Sequence, residues 1–556
     1  AISFASQQNA LNKHKANITG AAYLGKDFEK EFLPDLKSKV SGVCDRVFHP
    51  KLCSTLKWTA PSTSACYESS RTKGGGTNGL LDKIFFGGDI SSSRYIKTDS
   101  CLLGFVEYKC RMAEIRGSFY MDEVYGTCIH ECQFKESSMM GQVHLVLEPF
   151  KARIITAGPG LNYQVCRMIQ RKLHGALRKE LAFQLIGAPV TEEVITNRFC
   201  AKQSSDGVVW QDGFKLSELR SYITKSGKVL QFFQEFLSAV DYQNATDGIH
   251  PELSAHYVDH VSLKTGMGMF EIDAFRKSMS GHQMHYPDKT QVMQVWGQLM
   301  GSPSSFPALC IINFAILWVS AEEYFDCRLE YVDVDSIFTP LFNGDDGLFR
   351  SNQRLQAIWE RVARSAGLTP SVGKSYCHER LAMINSEIFV PTGEIDGKYY
   401  SFKKVFSLNP GLIKGQGRVL SDTRSVVGED RPSWWRSKMM PICDQLSSCL
   451  HGCDDEQKII IQELFFYHNK DRLIHSNRSW VLPRALGGLG LPRGTSTFSQ
   501  KCVAQCILEG KDIGDFNEAR EKPDYLVRAQ IHEREILNEL RVEKIPPKIV
   551  LKNSDL

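Results

Sequence analysis

Apolar positions recur at the helical interval over Tyr163–Phe183, Pro251–Val261, Pro307–Tyr324 and Arg354–Ala366, and the spacing predicts a helix in each. Pro251 suits the first turn of its helix, where its missing N–H costs nothing. Short apolar runs at Val143–Leu147, Phe236–Val240, Ser336–Phe342 and Gly347–Phe349 predict strands. Helices and strands alternate irregularly, which predicts an α+β class rather than a regular βαβ repeat. The last ~150 residues have helical patterning, with a turn-dense break at Leu486-Gly487-Gly488-Leu489-Gly490. The aromatic clusters Trp434-Trp435 and Phe465-Phe466-Tyr467 are expected to pack a core there. Ser70 to Gly79 is the clearest flexible segment and is expected to be a surface loop.

Composition adds little to this picture but excludes some classes. The chain has 556 residues, 42% hydrophobic and 23% charged, which supports a sizeable core and argues against disorder. Its length suits several domains, or one large enzyme with subdomains. Net charge is +4, from 67 Lys+Arg against 63 Asp+Glu, so any nucleic-acid surface must come from local clustering. The 17 cysteines are scattered and are expected to be reduced intracellular thiols. Two groups, Cys128/His130/Cys132 and Cys443/Cys449/His451/Cys453, suggest zinc, but neither has the paired Cys-x-x-Cys spacing, so free thiols are expected. The longest apolar stretch, Ala308 to Val319, is interrupted by Asn313 and falls short of the ~18 residues of a membrane span, so a soluble chain is expected. Lys13, Lys15 and Lys26 cluster around the first acid, Asp27, but no arginine accompanies them, and an ordinary N-terminal tail is expected rather than a mitochondrial transit peptide. The start at Ala1 is expected to reflect processing or trimming.

The candidate chemistry begins at Leu341-Phe342-Asn343-Gly344-Asp345-Asp346-Gly347-Leu348-Phe349, two apolar strands around a polar tip. The ordinary reading is a hairpin with an Asn-Gly turn and two solvated acids. A Gly-Asp-Asp triplet arises by chance in roughly one chain of ten at this length, so it identifies nothing alone. Two adjacent acids on a rigid tip can also hold oxygen-seeking Mg²⁺. Two-metal phosphoryl transfer needs a further carboxylate from elsewhere. Asp241 follows the Phe236–Val240 run and is placed to supply it, and Asp247 lies beyond, before Pro251. Between these segments, Gly301-Ser302-Pro303-Ser304-Ser305 enters the helix that carries Asn313, a loop suited to close backbone approach. Upstream, Lys151 and Arg153 alternate on an extended segment and so share a face, as a phosphate clamp would require.

The order of these pieces is more specific than any one of them. A basic strand, Asp-x5-Asp, Met-Gly-Ser-Pro-x-Ser-Phe-Pro with a helical Asn, and Asn-Gly-Asp-Asp follow one another. This series resembles motifs F, A, B and C of viral RNA-dependent RNA polymerases, in detail the lineage of narnaviruses, ourmia-like viruses (botourmiaviruses) and RNA bacteriophages. Pro61-Ser62-Thr63-Ser64-Ala65-Cys66, Pro370-Ser371-Val372-Gly373-Lys374, Ile384-Asn385-Ser386 and Leu486-Gly487-Gly488-Leu489-Gly490 are similar to the ourmia-like group in particular. The resemblance spans roughly residues 60 to 495.

The resemblance implies that Asp241 and Asp345 bind two Mg²⁺ ions, with Mn²⁺ as a substitute and Asp346 in support. It implies that Asp247 and Asn313 recognise the ribose 2′-hydroxyl. Gly301, Ser302 and Ser305 would track template and nucleotide, Lys151 and Arg153 would contact the triphosphate, and Lys374 would act as general acid. The implied architecture is a right hand. It comprises an N-terminal extension (1–90), fingers (91–235) and a palm sheet with flanking helices (236–254 and 298–405). A fingers insertion (255–297) and a helical thumb with tail (406–556) complete it. The implied partners are an RNA template, the nascent strand and ribonucleoside triphosphates, in host cytoplasm, for replication of a positive-strand genome. A reverse transcriptase and an inactive polymerase-like RNA-binding subunit stay open as rivals. Ala245-Thr246-Asp247, without an aromatic gate, disfavours the first, and the intact acids disfavour the second.

Overall fold

The computed structural model describes residues 4–23, 30–56, 62, 64–70, 75–76, 139–148, 151–203, 209–243, 245–371, 375–405, 410–414, 442–474, 489 and 491. The chain divides into two compact units, Ala1–Val405 and Phe406–Leu556. Helices and both mixed and antiparallel sheets make up the first unit, in agreement with the α+β expectation. The loop Ser70 to Gly79 and the pair Trp434-Trp435 fall largely or wholly outside the described residues, as does the Cys128 group.

All four expected helices form, as Gly160–Leu177 with a following turn Leu181–Phe183, Pro251–Thr265, Ser305–Phe325 and Gln353–Ser365. Local chemistry fixes their ends. The His250 ring accepts from the Glu252 N–H ahead of Pro251, and the Asn352 side chain accepts from the Leu355 N–H at 2.9 Å. Leu355, Ile358, Trp359, Val362 and Ala363 form the buried stripe of the last helix.

The Ser305–Phe325 helix is the centre of the unit. Every residue from Pro307 to Ala321 is buried. By length and composition it could cross a membrane, although its uninterrupted apolar run, Ala308 to Val319 broken at Asn313, is shorter than a span. Here it is enclosed by protein instead, packed against the Leu33–Val47 and Gln353–Ser365 helices. Phe314 stacks on Tyr331 at 4.3 Å and meets Phe183 and Phe342 with its edges.

The expected strand Ser336–Phe342 is not one element. The helix Tyr331–Phe338 occupies its first half, and the strand Leu341–Asn343 its end. Asp333 explains the difference, because its carboxylate accepts the Glu330 N–H at 2.9 Å and anchors the helix start. Thr339 then turns left-handed (φ 44°), and Pro340 separates helix from strand.

Two four-stranded sheets carry most of the candidate groups. The first is antiparallel, in the order Leu341–Asn343, Asp346–Ser351, Phe236–Val240, Tyr376–His378. Leu237, Ala239 and Leu348 face one apolar cluster with Phe199, Phe389 and Phe402, while Val240, Phe342 and Phe349 face the central helix side. Buried on both faces, the sheet leaves its strand ends as the place for polar groups. The second sheet runs Lys151–Ala157, Met140–Glu148, Gln283–His285, Gln291–Met293, with a parallel pairing between its middle strands. In the second unit, Phe465 and Phe466 are buried on the Asp455–Ile474 helix as expected, but Tyr467 is exposed.

Phe314→Ala should cost about 3–5 kcal/mol of stability, because it opens a cavity where three aromatic rings meet. Equilibrium urea unfolding would measure this, and a loss under ~1 kcal/mol would show that the core closes without the ring.

Candidate active site

The antiparallel sheet brings the three expected acids to one end. Phe236–Val240 ends just before Asp241, and Val240 pairs with Gly347. Extending that register by one residue sets Asp241 opposite Asp346. Asn343 pairs with Asp346, so the hairpin loop is Gly344-Asp345 and not the Asn-Gly turn expected. Gly344 has φ 74°, as the first central residue of a type II′ turn requires. Asp345 therefore occupies the tip and Asp346 opens the return strand. All three acids are part-exposed.

A side chain that sequence reasoning missed ties this end together. Tyr242 follows Asp241, is buried, and stacks on Trp359 at 5.6 Å. Burial pushes its hydroxyl pKa well up, and the Asp345 and Asp241 carboxylates push it further, so both acids lie near this one phenol. Its hydroxyl donates to the Asn313 Oδ1 at 2.6 Å. The Asn313 Nδ2 in turn donates to the Gly344 carbonyl at 3.2 Å and, at 3.5 Å, to that of Asp345. Cys310, one turn earlier on the same helix, accepts from the Gly344 N–H through its sulfur. Asn313 was expected at a ribose. In this structure it is fully buried, and its amide is occupied by Tyr242 and the turn.

Backbone anchors hold the other strand end. The Asp241 carbonyl accepts from the Ser371 N–H and the Ser375 hydroxyl, and its carboxylate accepts the Tyr242 N–H at 2.9 Å. Lys374, between those two serines, lies outside the described residues.

Gly301 makes the close approach expected of it, and its neighbour is the basic strand. Its N–H donates to the Thr156 Oγ1 at 3.0 Å, and an added Cβ would collide with the Thr156 carbonyl. The loop is thereby pressed onto Lys151–Ala157, the strand that carries Lys151 and Arg153 two residues apart. Ser302 and Ser305 are buried and turned inward, donating to the carbonyls of Ser278 and Leu299. They brace the loop in this structure.

Asp247 does not join the acid cluster. It is 9% exposed on the short helix Ala245–Gly248, where its carboxyl accepts from the Thr246 hydroxyl, and the buried Asn17, a second residue that sequence reasoning missed, lies nearby. Burial raises its pKa to about 7, against the favourable pull of Thr246, Asn17 and Lys13. Tyr23 and Tyr286 also lie within its field.

Among the described residues, no three His, Cys, Asp or Glu side chains lie close enough together to hold a metal ion, the three acids at the sheet end included. The donor set at the sheet end still fits a hard divalent cation: it is all oxygen, carboxylate, part-exposed and on rigid backbone.

No family model matches the sequence. The chain is 29% identical over 375 residues to the RNA-dependent RNA polymerase of Ourmia melon virus (isolate Melon/Iran/VE9), covering 64% of this chain and 38% of the relative. It therefore spans well under half of that relative's length. The motif resemblance to the ourmia-like group is borne out by this similarity. Among solved structures, the chain is similar to the RNA-dependent RNA polymerase of a human picorbirnavirus, at 13% identity and a TM-score of 0.38 over 70% of this chain and 61% of that one. An insertion-loop deletion mutant of the same polymerase gives 12% identity and a TM-score of 0.37, over 69% and 64%. Overlaps this loose carry no argument of their own.

The geometry leads to two expected outcomes. Asn313→Ala leaves the buried Tyr242 hydroxyl and Gly344 carbonyl without their partner, and should cost about 1–3 kcal/mol in urea unfolding. No measurable loss would mean the turn holds itself. Asp247 carries a second, pH-dependent signature. A carboxyl whose folded pKa is raised to about 7 holds its proton in the folded state while the unfolded chain has lost it. Stability should therefore fall as pH rises from about 4 to about 7, then level off. Asp247→Asn should flatten that slope, and an unchanged slope in a pH series of thermal melts would assign it elsewhere.

Proposed function

We propose that this chain is an RNA-directed RNA polymerase that copies a positive-strand viral RNA genome from ribonucleoside triphosphates in the host cytoplasm. The observation that carries this reading is the meeting of Asp241 with the Asp345-Asp346 hairpin at one end of a buried antiparallel sheet. The similarity to a named RNA-dependent RNA polymerase gives that geometry its reaction. In the right-hand arrangement we propose, the sheet belongs to the palm (236–254 and 298–405), residues 91–235 with the insertion 255–297 are the fingers, and residues 1–90 are an extension. The chain after Val405 is the thumb, and the division into units at that residue supports the last boundary.

In this reading Asp241 and Asp345 hold two Mg²⁺ ions, or Mn²⁺ in their place, and Asp346 adds charge beside them. Bound there, such cations would lower the pKa of the growing strand's 3′-hydroxyl and steady the departing pyrophosphate. The chain's own contribution is position. The type II′ turn and the Asn313 amide fix the backbone that carries Asp345 relative to Asp241. The Gly301 contact with Thr156 fixes the basic strand beside the loop, so that Lys151 and Arg153 can meet the triphosphate. Lys374 is assigned the proton delivered to pyrophosphate, on the resemblance alone. With the Asn313 amide occupied, the check on the 2′-hydroxyl falls to Asp247. Base choice belongs to template pairing, and the protein holds RNA through backbone shape and charge.

The purified chain with an RNA template, ribonucleotides and Mg²⁺ should make complementary RNA, and Asp345→Ala should reduce the rate by at least ~10³-fold. Product made preferentially from deoxynucleotides would point to a reverse transcriptase. RNA binding without synthesis would point to an inactive subunit.

A further inference from the structure

The chain is nearly neutral, so a surface for a polyanion has to come from local clustering, and the Gly160–Leu177 helix supplies one. The helix follows the basic strand Lys151–Ala157 through Gly158-Pro159. Its inner face is apolar, with Val165, Ile169, Leu173 and Leu177 buried in the core. Its 18 residues include no Asp or Glu. Arg167, Arg171, His174 and Arg178 recur at helical intervals and share one stripe, within about 60° around the axis. Arg178 caps the helix but keeps helical backbone angles (φ −58°, ψ −18°), so it stays on that stripe. Arg171 and Arg178 are exposed, and Arg167 and His174 half-buried. Gly175, beside them, faces open space.

The charge on the stripe is uncompensated. Among the described residues, none of the three arginines makes an ion pair. The nearest acid in sequence, Glu180, is taken by Arg46 at 3.4 Å. Like charges four residues apart work against the helix, and a row of phosphates laid along them reverses that sign. Burial and the Arg178 charge push the His174 pKa down to about 4, so at neutral pH the charge belongs to the arginines.

The stripe also leads to the acids. The His174 ring stands edge-on to Phe306, with 5.3 Å between centroids. Phe306 in turn lies against Gly344, where an added Cβ would come within 2.9 Å of its ring. One aromatic ring thus separates the middle of the stripe from the Gly344-Asp345 turn. From Arg167 to Arg178 the stripe runs about 16 Å, at ~1.5 Å per residue. That length exceeds one triphosphate and suits several successive phosphates of a strand.

We propose that this stripe is a track for the RNA backbone, on which Arg167, Arg171 and Arg178 hold phosphates of a single strand as it passes the Gly344-Asp345 turn. The choice of RNA as the polyanion rests on the polymerase reading above. Contacts to phosphate carry no sequence information, so the track is indifferent to base.

The test is binding of a fluorescent, unstructured RNA oligonucleotide to the full chain, followed by anisotropy over a salt series without nucleotides or Mg²⁺. Arg171→Gln with Arg178→Gln removes two exposed charges and spares the core. Arg354→Gln with Arg364→Gln removes two exposed arginines from the Gln353–Ser365 helix and is the control. Two lost phosphate contacts on a single strand should lower the slope of log K against log salt by about 1.4, and weaken binding roughly 10- to 30-fold at ~0.1 M salt. The control pair should change binding by about twofold or less. A wild-type chain that does not bind RNA, an unchanged slope in the stripe variant, or an equal loss in the control overturns the proposal. Phosphatidylserine vesicles are the second anionic probe. Wild type that binds them as tightly as RNA, with the same loss in the stripe variant, overturns the assignment to RNA. The binding readout needs no catalysis. A chain that makes no RNA, yet loses RNA affinity with the stripe, overturns the polymerase reading and supports the track. A chain that makes RNA while its stripe variant binds RNA normally does the reverse.

Discussion

The Asn313 amide joins three pieces of chain that are far apart in sequence. It takes the Tyr242 hydroxyl on one side and gives its own hydrogens to the carbonyls of Gly344 and Asp345 on the other. Asn313 itself sits on a helix whose surroundings are almost wholly apolar. A polar side chain placed there must be satisfied or it destabilises the core. The same groups that satisfy it are those that fix the acid-bearing turn. The backbone position of the Asp345 turn relative to Asp241 is thus fixed by the core's requirement for hydrogen bonds.

The sheet adds a second constraint. With apolar clusters on both faces, its strands cannot slip by one residue without burying polar side chains and exposing apolar ones. The register Val240 to Gly347 is therefore rigid, and Asp241 and Asp346 inherit it. Carboxylates that would disperse on flexible loops are kept together at one edge, the condition under which they can hold a shared cation.

Around that edge, the remaining contacts come from distant segments. Gly301 lets the loop press on Thr156, and Trp296 ties the end of the Phe4–Ile18 helix to Gly248. Asp247 is the least settled charge in the arrangement, because burial works against its ionised form while Asn17, Thr246 and Lys13 favour it.

The sequence by itself determined the elements and the order of the chemistry. Phe236–Val240 reads as a strand because five apolar or small residues precede an acid, and the structure keeps those bounds. Gln353–Ser365 reads as a helix because its buried stripe repeats locally. The sequence also placed Asp241, Gly301 and the Asp345-Asp346 pair in one series. It misjudged Ser336–Phe342, where an acid-anchored helix start outweighs a run of apolar residues, and it set the hairpin turn one residue early. Tertiary structure alone decided that Asn313 would bind the turn, that Tyr242 would link it to the first acid, and that the Phe4–Ile18 helix would pack against the short helix bearing Asp247. Hydrophobic periodicity is a local signal, and it says which face of an element is buried. Which donor meets which acceptor across hundreds of residues depends on how those faces are stacked, and no local pattern records that.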